Sequence, residues 1–167
     1  REERGLSETD VTAATAGTAG AVVSVNTSAK KGQIKKPVAS AEIVAGLGIE
    51  GDAHKGFAHR QVSLLMIEDI EAQRERLGGG EAAAVLRPGA YAENLTTRGI
   101  DLGALGLGDE LAVGDEVRLR VSQIGKECHT RCAVYRITGD CIMPVRGIFC
   151  EVVSGGAVRP GDRVEKR

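Results

Sequence analysis

At 167 residues the chain is long enough for one domain, since a chain of about 150 residues buries roughly 68–70% of its unfolded surface. Its 22 basic and 23 acidic side chains leave a net charge of −1, which gives no global field for nucleic acid or an anionic membrane, so any anion binding must be local. No apolar run approaches the roughly 20 residues of a membrane helix, and no signal-peptide pattern opens the chain.

Residues 1–18 are charged and then rich in Thr and Ala, without apolar periodicity, and read as a flexible tail or linker ahead of one domain over 19–167. Ala21 to Val25 is a short apolar run expected to form a buried strand. A basic turn follows (Lys30, Lys31, Gly32, Lys35, Lys36), closed by Pro37, and Val38 to Ala45 reads as the next strand. Gly46 to Arg60 is rich in Gly and His and lacks periodicity, as a functional loop would. Gln61 to Met66 is β-rich. Ile67 to Leu77 carries Ile67, Ile70 and Leu77 on one side of a charged helix, which Gly78-Gly79-Gly80 stops. Glu81 to Leu86 adds a helical turn, ended by Pro88-Gly89.

The remainder is β-like. Glu93 to Thr97 precedes a turn, Leu111-Ala112-Val113 precedes the Gly114-Asp115 turn, and Glu116 to Gln123 alternates Val117, Leu119 and Val121 against Glu116, Arg118 and Arg120. Thr130 is positioned to cap a short helix through Thr138, with Gly139 at its end. Gly147 to Val153 and Asp162 to Glu165 are the last predicted strands, joined through Gly155-Gly156 and Pro160-Gly161. Many short strands and few helices predict a mainly β, barrel-like domain. Only four aromatic residues occur (Phe57, Tyr91, Tyr135, Phe149), so its core must be built from Val, Ile, Leu and Ala.

Three segments invite chemistry. Gly46-Leu47-Gly48-Ile49-Glu50-Gly51 matches the dinucleotide fingerprint by letter, but that motif works only where its last glycines open a helix. Asp52-Ala53-His54-Lys55-Gly56 is a poor helix start and belongs to no βαβ unit, so nucleotide binding by this route is rejected. Within the same loop, His54, His59 and Arg60 stand with Asp52 and Lys55, and two of the three histidines of the chain are here. Imidazole, ammonium and guanidinium groups together suit an oxyanion such as phosphate or molybdate.

The third segment holds the cysteines. All four (Cys128, Cys132, Cys141, Cys150) fall in the last 40 residues, whereas a disulfide scaffold would be shorter and would spread them across the fold. Clustering points to a reduced catalytic or metal site and a cytoplasmic setting, in which the triplets at Asn26 and Asn94 match a glycosylation pattern by chance. Cys128 lies just ahead of the predicted helix, with Lys126, His129 and Arg131 beside it. The helix dipole and these cations favour thiolate over thiol, the form that attacks, carries a persulfide or ligates a soft metal. Cys150, in the run Ile148-Phe149-Cys150, reads instead as a small buried hydrophobe, and Cys141 admits the same reading. A structural zinc held by Cys128, Cys132, Cys141 and His129 is the competing reading; its spacing departs from the two close pairs of zinc ribbons and fingers.

From about Ala21 to Val164 these motifs, in order, resemble the MOSC family, named for the C-terminal domain of molybdenum cofactor sulfurases. The stretch Gly48 to His54 resembles the family's glycine–aspartate–histidine loop, and Arg60 to Leu65 its next strand. Glu93-Asn94-Leu95 with Gly99 to Leu102 resembles its central signature, and Cys128 falls at its signature cysteine. The resemblance implies a β-barrel-like fold with small helices, and a site where the Asp52–Arg60 loop, Asn94 and Cys128 meet. It further implies Cys128 as a molybdenum or sulfur ligand, Asn94 as a contact to the molybdopterin, and Arg60, Lys126 and Arg146 as contacts to its anionic groups.

Two larger parts of relatives have no counterpart in this sequence: the pyridoxal-phosphate desulfurase domain, and the N-terminal barrel extension of amidoxime-reducing members. The expected role is therefore an accessory protein that binds molybdenum (or tungsten) cofactor, or carries sulfur for it, in company with molybdopterin-assembly proteins or molybdoenzymes. A small molybdenum-cofactor oxidoreductase acting on N-hydroxylated substrates, and a zinc-stabilised β interaction module, are the alternatives.

Overall fold

The computed structural model describes residues 17–125, 142 and 146–167. Alternation of apolar and polar residues sets the strands. In β8 (Val117–Ile124), Val117, Leu119 and Val121 are buried, while Arg118 and Arg120 point outward on the opposite pleat. The other strands are β1 (Ala19–Thr27), β2 (Lys36–Val38), β3 (Ala41–Val44), β4 (Gly48–Ile49), β5 (Val62–Met66), β6 (Leu95–Arg98), β7 (Glu110–Val113), β9 (Ile148–Ser154), β10 (Gly156–Val158) and β11 (Arg163–Lys166). Two helices, α1 (Ile67–Leu77) and α2 (Gly80–Val85), lie between β5 and β6.

Seven strands close into a barrel in the order β11-β7-β8-β9-β5-β6-β1, with β1 pairing back onto β11 through Ala19–Glu165 and Ala21–Arg163. Closure leaves no free edge within the ring. β2 extends the sheet beyond β1, and β10, β3 and β4 form a separate small sheet. β5 and β6 are the parallel pair, and the helical segment between them supplies the long connection that parallel strands require. The other ladders are antiparallel.

The barrel interior is aliphatic, as the scarcity of aromatics requires: Val62, Leu64, Leu95, Leu111, Leu119, Ile148 and Cys150 are among its buried residues. The opposite pleat of β5 and β9 sends Leu65 and Phe149 outward to a second cluster with Ile67, Ile70, Leu86, Ala90 and Tyr91. This layer fastens the helices to the outside of the barrel. α1 spans the predicted residues and ends at Gly78, whose φ of 70° and N–H bond to the Glu75 carbonyl make a left-handed cap.

Three segments differ from the sequence reading. The strand expected over Val38 to Ala45 is divided, because β2 pairs with β1 while β3 joins β10 in the other sheet. The Gly155–Gly161 connection contributes that partner strand, β10. The loop after Ala45 also contains a short strand, β4, paired with β3. No helix among the described residues is long and apolar enough to cross a membrane.

Candidate functional site

β1 leaves the barrel at Thr27, and the chain turns through the lysine-rich stretch before β2 brings it back. Lys35, just before β2, has a side chain with no exposed surface. It is seated by Gly89: the Lys35 N–H donates to the Gly89 carbonyl at 2.9 Å, and a Cβ at Gly89 (φ 91°) would overlap the Lys35 carbonyl oxygen. Its ammonium donates to Asp52 Oδ1 at 2.6 Å, to Ser28 Oγ at 3.1 Å and to His54 Nδ1 at 3.3 Å.

Asp52 is the hub that shapes the 50–60 loop. Oδ1 also accepts the Ser28 N–H at 3.1 Å, and Oδ2 accepts the His54 N–H at 3.0 Å. Burial alone would push this carboxyl up. The His54 backbone N–H, the Lys35 hydrogen bond and the ammonium charge outweigh it and hold Asp52 well below the usual carboxylate range. The ion pair is therefore fully formed at neutral pH, deep beneath the loop.

Above it lies a half-buried ring. Lys31 Nζ stands 3.7 Å and Arg60 Cζ 4.7 Å from the centre of Phe57, and the His54 ring lies 5.7 Å away, tilted by 52°. Among the described residues neither cation pairs with a carboxylate; both are held over the ring by its quadrupole. Lys55 differs, being paired with Glu50. The structure thus brings His54 and Arg60 together around Phe57. His59 is exposed on the same loop, and its carbonyl accepts a hydrogen bond from Ser122 of β8.

Behind Lys35 stands a buried polar wall. Asn26 Nδ2 donates to Thr96 Oγ1 at 3.0 Å and to the Glu93 carbonyl at 3.2 Å. Glu93, with no exposed surface, accepts from the Gly89 N–H (2.8 Å), the Tyr91 N–H (3.2 Å) and Thr96 Oγ1 (2.6 Å). Burial raises its carboxyl despite these donors. Asn94 is also fully buried. Its Oδ1 accepts from the Ser63 N–H (3.0 Å) and Ser63 Oγ (3.2 Å), and its Nδ2 donates to the Asn26 carbonyl (3.2 Å). The Asn94 amide is thus taken up by neighbouring strands, beside the wall that seats Lys35. Ala58 and Ala92, at φ 45° and 64°, flank these two segments, a concentration of backbone cost at the site.

The cysteine segment departs from this framework at Gly125, whose N–H donates to the Gly147 carbonyl at 2.7 Å. Lys126, Cys128, His129, Cys132 and Cys141, and the helix expected from Thr130, lie outside the described residues. At its return, Arg146 Nε donates to Asp69 Oδ2 of α1 at 2.9 Å, and NH2 meets Met66 Sδ at 3.6 Å. Met66 is four residues along β5 from Val62, about 13 Å at 3.3 Å per residue, so the described contacts seat Arg146 apart from the His54–Arg60 cluster. Cys150 is in the barrel core with no exposed surface, and burial pushes its thiol up. Among the described residues no group of three or more His, Cys, Asp and Glu side chains is placed to hold a metal.

Lys35, Ser28, Asn26, Phe57 and Glu93 are not among the site residues expected from sequence. Lys35 is one of four lysines in a polar turn, and nothing in their spacing marks the buried one.

A closed, mainly β barrel with a parallel crossover thus carries a cationic loop over a buried ion pair. A family model for the MOSC domain matches residues 51–165, and the chain belongs to that family. The match begins at the Asp52 loop and ends in β11. Solved structures share the fold. YuaD from Bacillus subtilis superposes with a TM-score of 0.72 at 21% identity, covering 89% of this chain and 95% of that one. YiiM from Escherichia coli gives 0.64 at 21%, covering 89% and 69%, and YiiM from Geobacillus stearothermophilus 0.65 at 22%, covering 89% and 75%. No curated protein matches the chain.

Proposed function

We propose that this protein binds molybdenum (or tungsten) cofactor, or carries sulfur destined for it, with Cys128 as the sulfur ligand and the Asp52–Arg60 loop as the anion-holding wall. Membership of the MOSC family, whose members are associated with molybdenum cofactor, supports the ligand class. The observation that carries the reading is the grouping of Lys31, Arg60 and His54 around Phe57, directly over the buried Lys35–Asp52 pair.

The donor set fits an anionic pterin. The chain is nearly neutral overall, yet Lys31 and Arg60 are held on an aromatic ring and, among the described residues, on no carboxylate. Guanidinium and ammonium donors recognise phosphate oxygens through charge-assisted hydrogen bonds. Phe57 keeps the two cations close, and Lys35 and Asp52 fix the loop that carries His54 and Arg60. Asn26, Glu93 and Asn94 make the wall behind it rigid. In this reading the chain supplies ligation and electrostatics to the bound cofactor. The cysteine segment leaves β8 at Gly125, three residues ahead of Cys128 and three beyond Ser122, which holds the His59 carbonyl.

Titration of molybdopterin into wild type, Arg60→Ala and Lys31→Ala tests the reading. Each lost charge-assisted bond is worth roughly 1.5–3 kcal/mol, so each variant should bind about ten- to a hundredfold more weakly. Equal affinities in all three proteins would remove the loop from the site.

A further inference from the structure

The hydrogen bonds beneath His54 have a fixed direction. The Lys35 ammonium has only donors, and it meets three acceptors: Asp52 Oδ1 at 2.6 Å, Ser28 Oγ at 3.1 Å and His54 Nδ1 at 3.3 Å. Ser28 spends its own proton on the Lys30 carbonyl at 2.9 Å, so its oxygen is free to accept from Lys35. A ring nitrogen facing an ammonium must present its lone pair. The remaining option, donation from Nδ1 to Asp52 Oδ2, spans 3.6 Å, longer than a hydrogen bond. Oδ2 already receives the His54 backbone N–H at 3.0 Å, which pins the residue in place.

We propose that Lys35 and Asp52 are positioning residues that hold His54 in its Nε2–H tautomer, presenting a neutral N–H donor to an oxyanion bound beside Phe57, Lys31 and Arg60. Nε2 is the open edge of the ring: among the described residues it has no hydrogen-bond partner, and the His54 side chain is 18% exposed. The groups facing the ring are Lys35 and Asp52 on its Nδ1 side and Phe57 with its two cations beyond. A neutral donor of this kind binds an oxyanion without first taking up a proton. The tautomer is dictated by what the other nitrogen meets, as it is for metal-bound and catalytic imidazoles. Asp52 serves twice, neutralising the buried ammonium and anchoring the histidine backbone. The aim at an oxyanion rests on the anion-holding role proposed for this loop; the tautomer itself does not.

Two-bond 1H–15N correlation of the histidine rings at pH 8, with His54 assigned by its loss in His54→Gln, reads the tautomer directly. Wild type should show His54 protonated at Nε2. In Lys35→Met the proton should move to Nδ1, toward Asp52 Oδ2, and affinity for inorganic phosphate or molybdate should fall by about tenfold or more. If Lys35→Met does not fold, the charge-balanced double variant Lys35→Met/Asp52→Asn should show the ring as a mixture of both tautomers. An Nδ1–H ring in wild type, or an unchanged tautomer after loss of Lys35, would overturn the positioning role. The expected tautomer with no response of His54 to either anion would overturn the oxyanion reading and leave the positioning intact.

Discussion

Asn94 and Ser63, 31 residues apart, grip each other from both sides: the Asn94 N–H donates to the Ser63 carbonyl and the Ser63 N–H to Asn94 Oδ1, each at 3.0 Å. With Nδ2 on the Asn26 carbonyl, one side chain joins β5, β1 and the start of β6. Removing it in Asn94→Ala leaves three buried polar groups short of a partner. The expected cost is about 3 kcal/mol, a fall of roughly 6–12 °C in Tm for a chain of this size. Calorimetry without ligand checks this. A side chain that only contacted ligand would leave the ligand-free midpoint unchanged.

The buried Lys35–Asp52 pair sets an acid limit. The Asp52 carboxyl is held below its ordinary value of 3.8, so its contribution is complete above about pH 4 and is lost as pH falls through the lower folded value. Lys35→Met, which strands a buried carboxylate, should cost on the order of 3–5 kcal/mol at pH 7. The gap between wild type and variant in urea titrations should narrow below about pH 4. A gap that stays constant to pH 2.5 would show that the pair carries no such charge energy.

Glu93 works in the opposite direction. Its carboxyl is raised from 4.5 by burial, with no cationic partner among the described residues, so the fold favours the protonated form. The associated stability is full below about pH 4.5 and is lost as pH rises through the folded value. Wild type should therefore lose ground to Glu93→Gln in Tm as pH climbs from 4.5 toward neutrality. A difference that is flat over this range would mean that Glu93 titrates as in the unfolded chain.

Thiol reactivity should divide the cysteines. Cys150 lies in the barrel core with its thiol pushed up, and should resist alkylation until global unfolding. Cys128, with Lys126, His129 and Arg131 as sequence neighbours, should be modified first. Pulsed alkylation at neutral pH with peptide mapping gives the order, and early labelling of Cys150 or Cys132 would reverse the assignment.

The barrel was legible because its strands alternate cleanly: Val117, Leu119 and Val121 against Arg118 and Arg120 fix both strand and facing. α1 was legible from its apolar spacing and the glycines that stop it. What sequence spacing could not show was pairing between distant segments. The division of residues 36–44 follows because β2 stays with its chain neighbour β1 while β3 leaves to pair with β10, far along the chain. Of the candidate site, the Asp52–Arg60 loop is marked in the sequence by its histidines and charges. Lys35 escaped because burial of one lysine among four is decided by Gly89 and Asp52, 54 and 17 residues distant. Asn94 was singled out by motif, but its partners Ser63 and Asn26 come from strands that only the closed barrel brings together.

Metal and pterin analysis of freshly purified protein, wild type beside Cys128→Ser, tests the central claim most directly. Wild type should carry molybdenum or tungsten together with a fluorescent pterin, or take both up on incubation with cofactor, and Cys128→Ser should lose the metal while remaining folded. Stoichiometric zinc with no pterin, or equal molybdenum in both proteins, would contradict cofactor handling through Cys128.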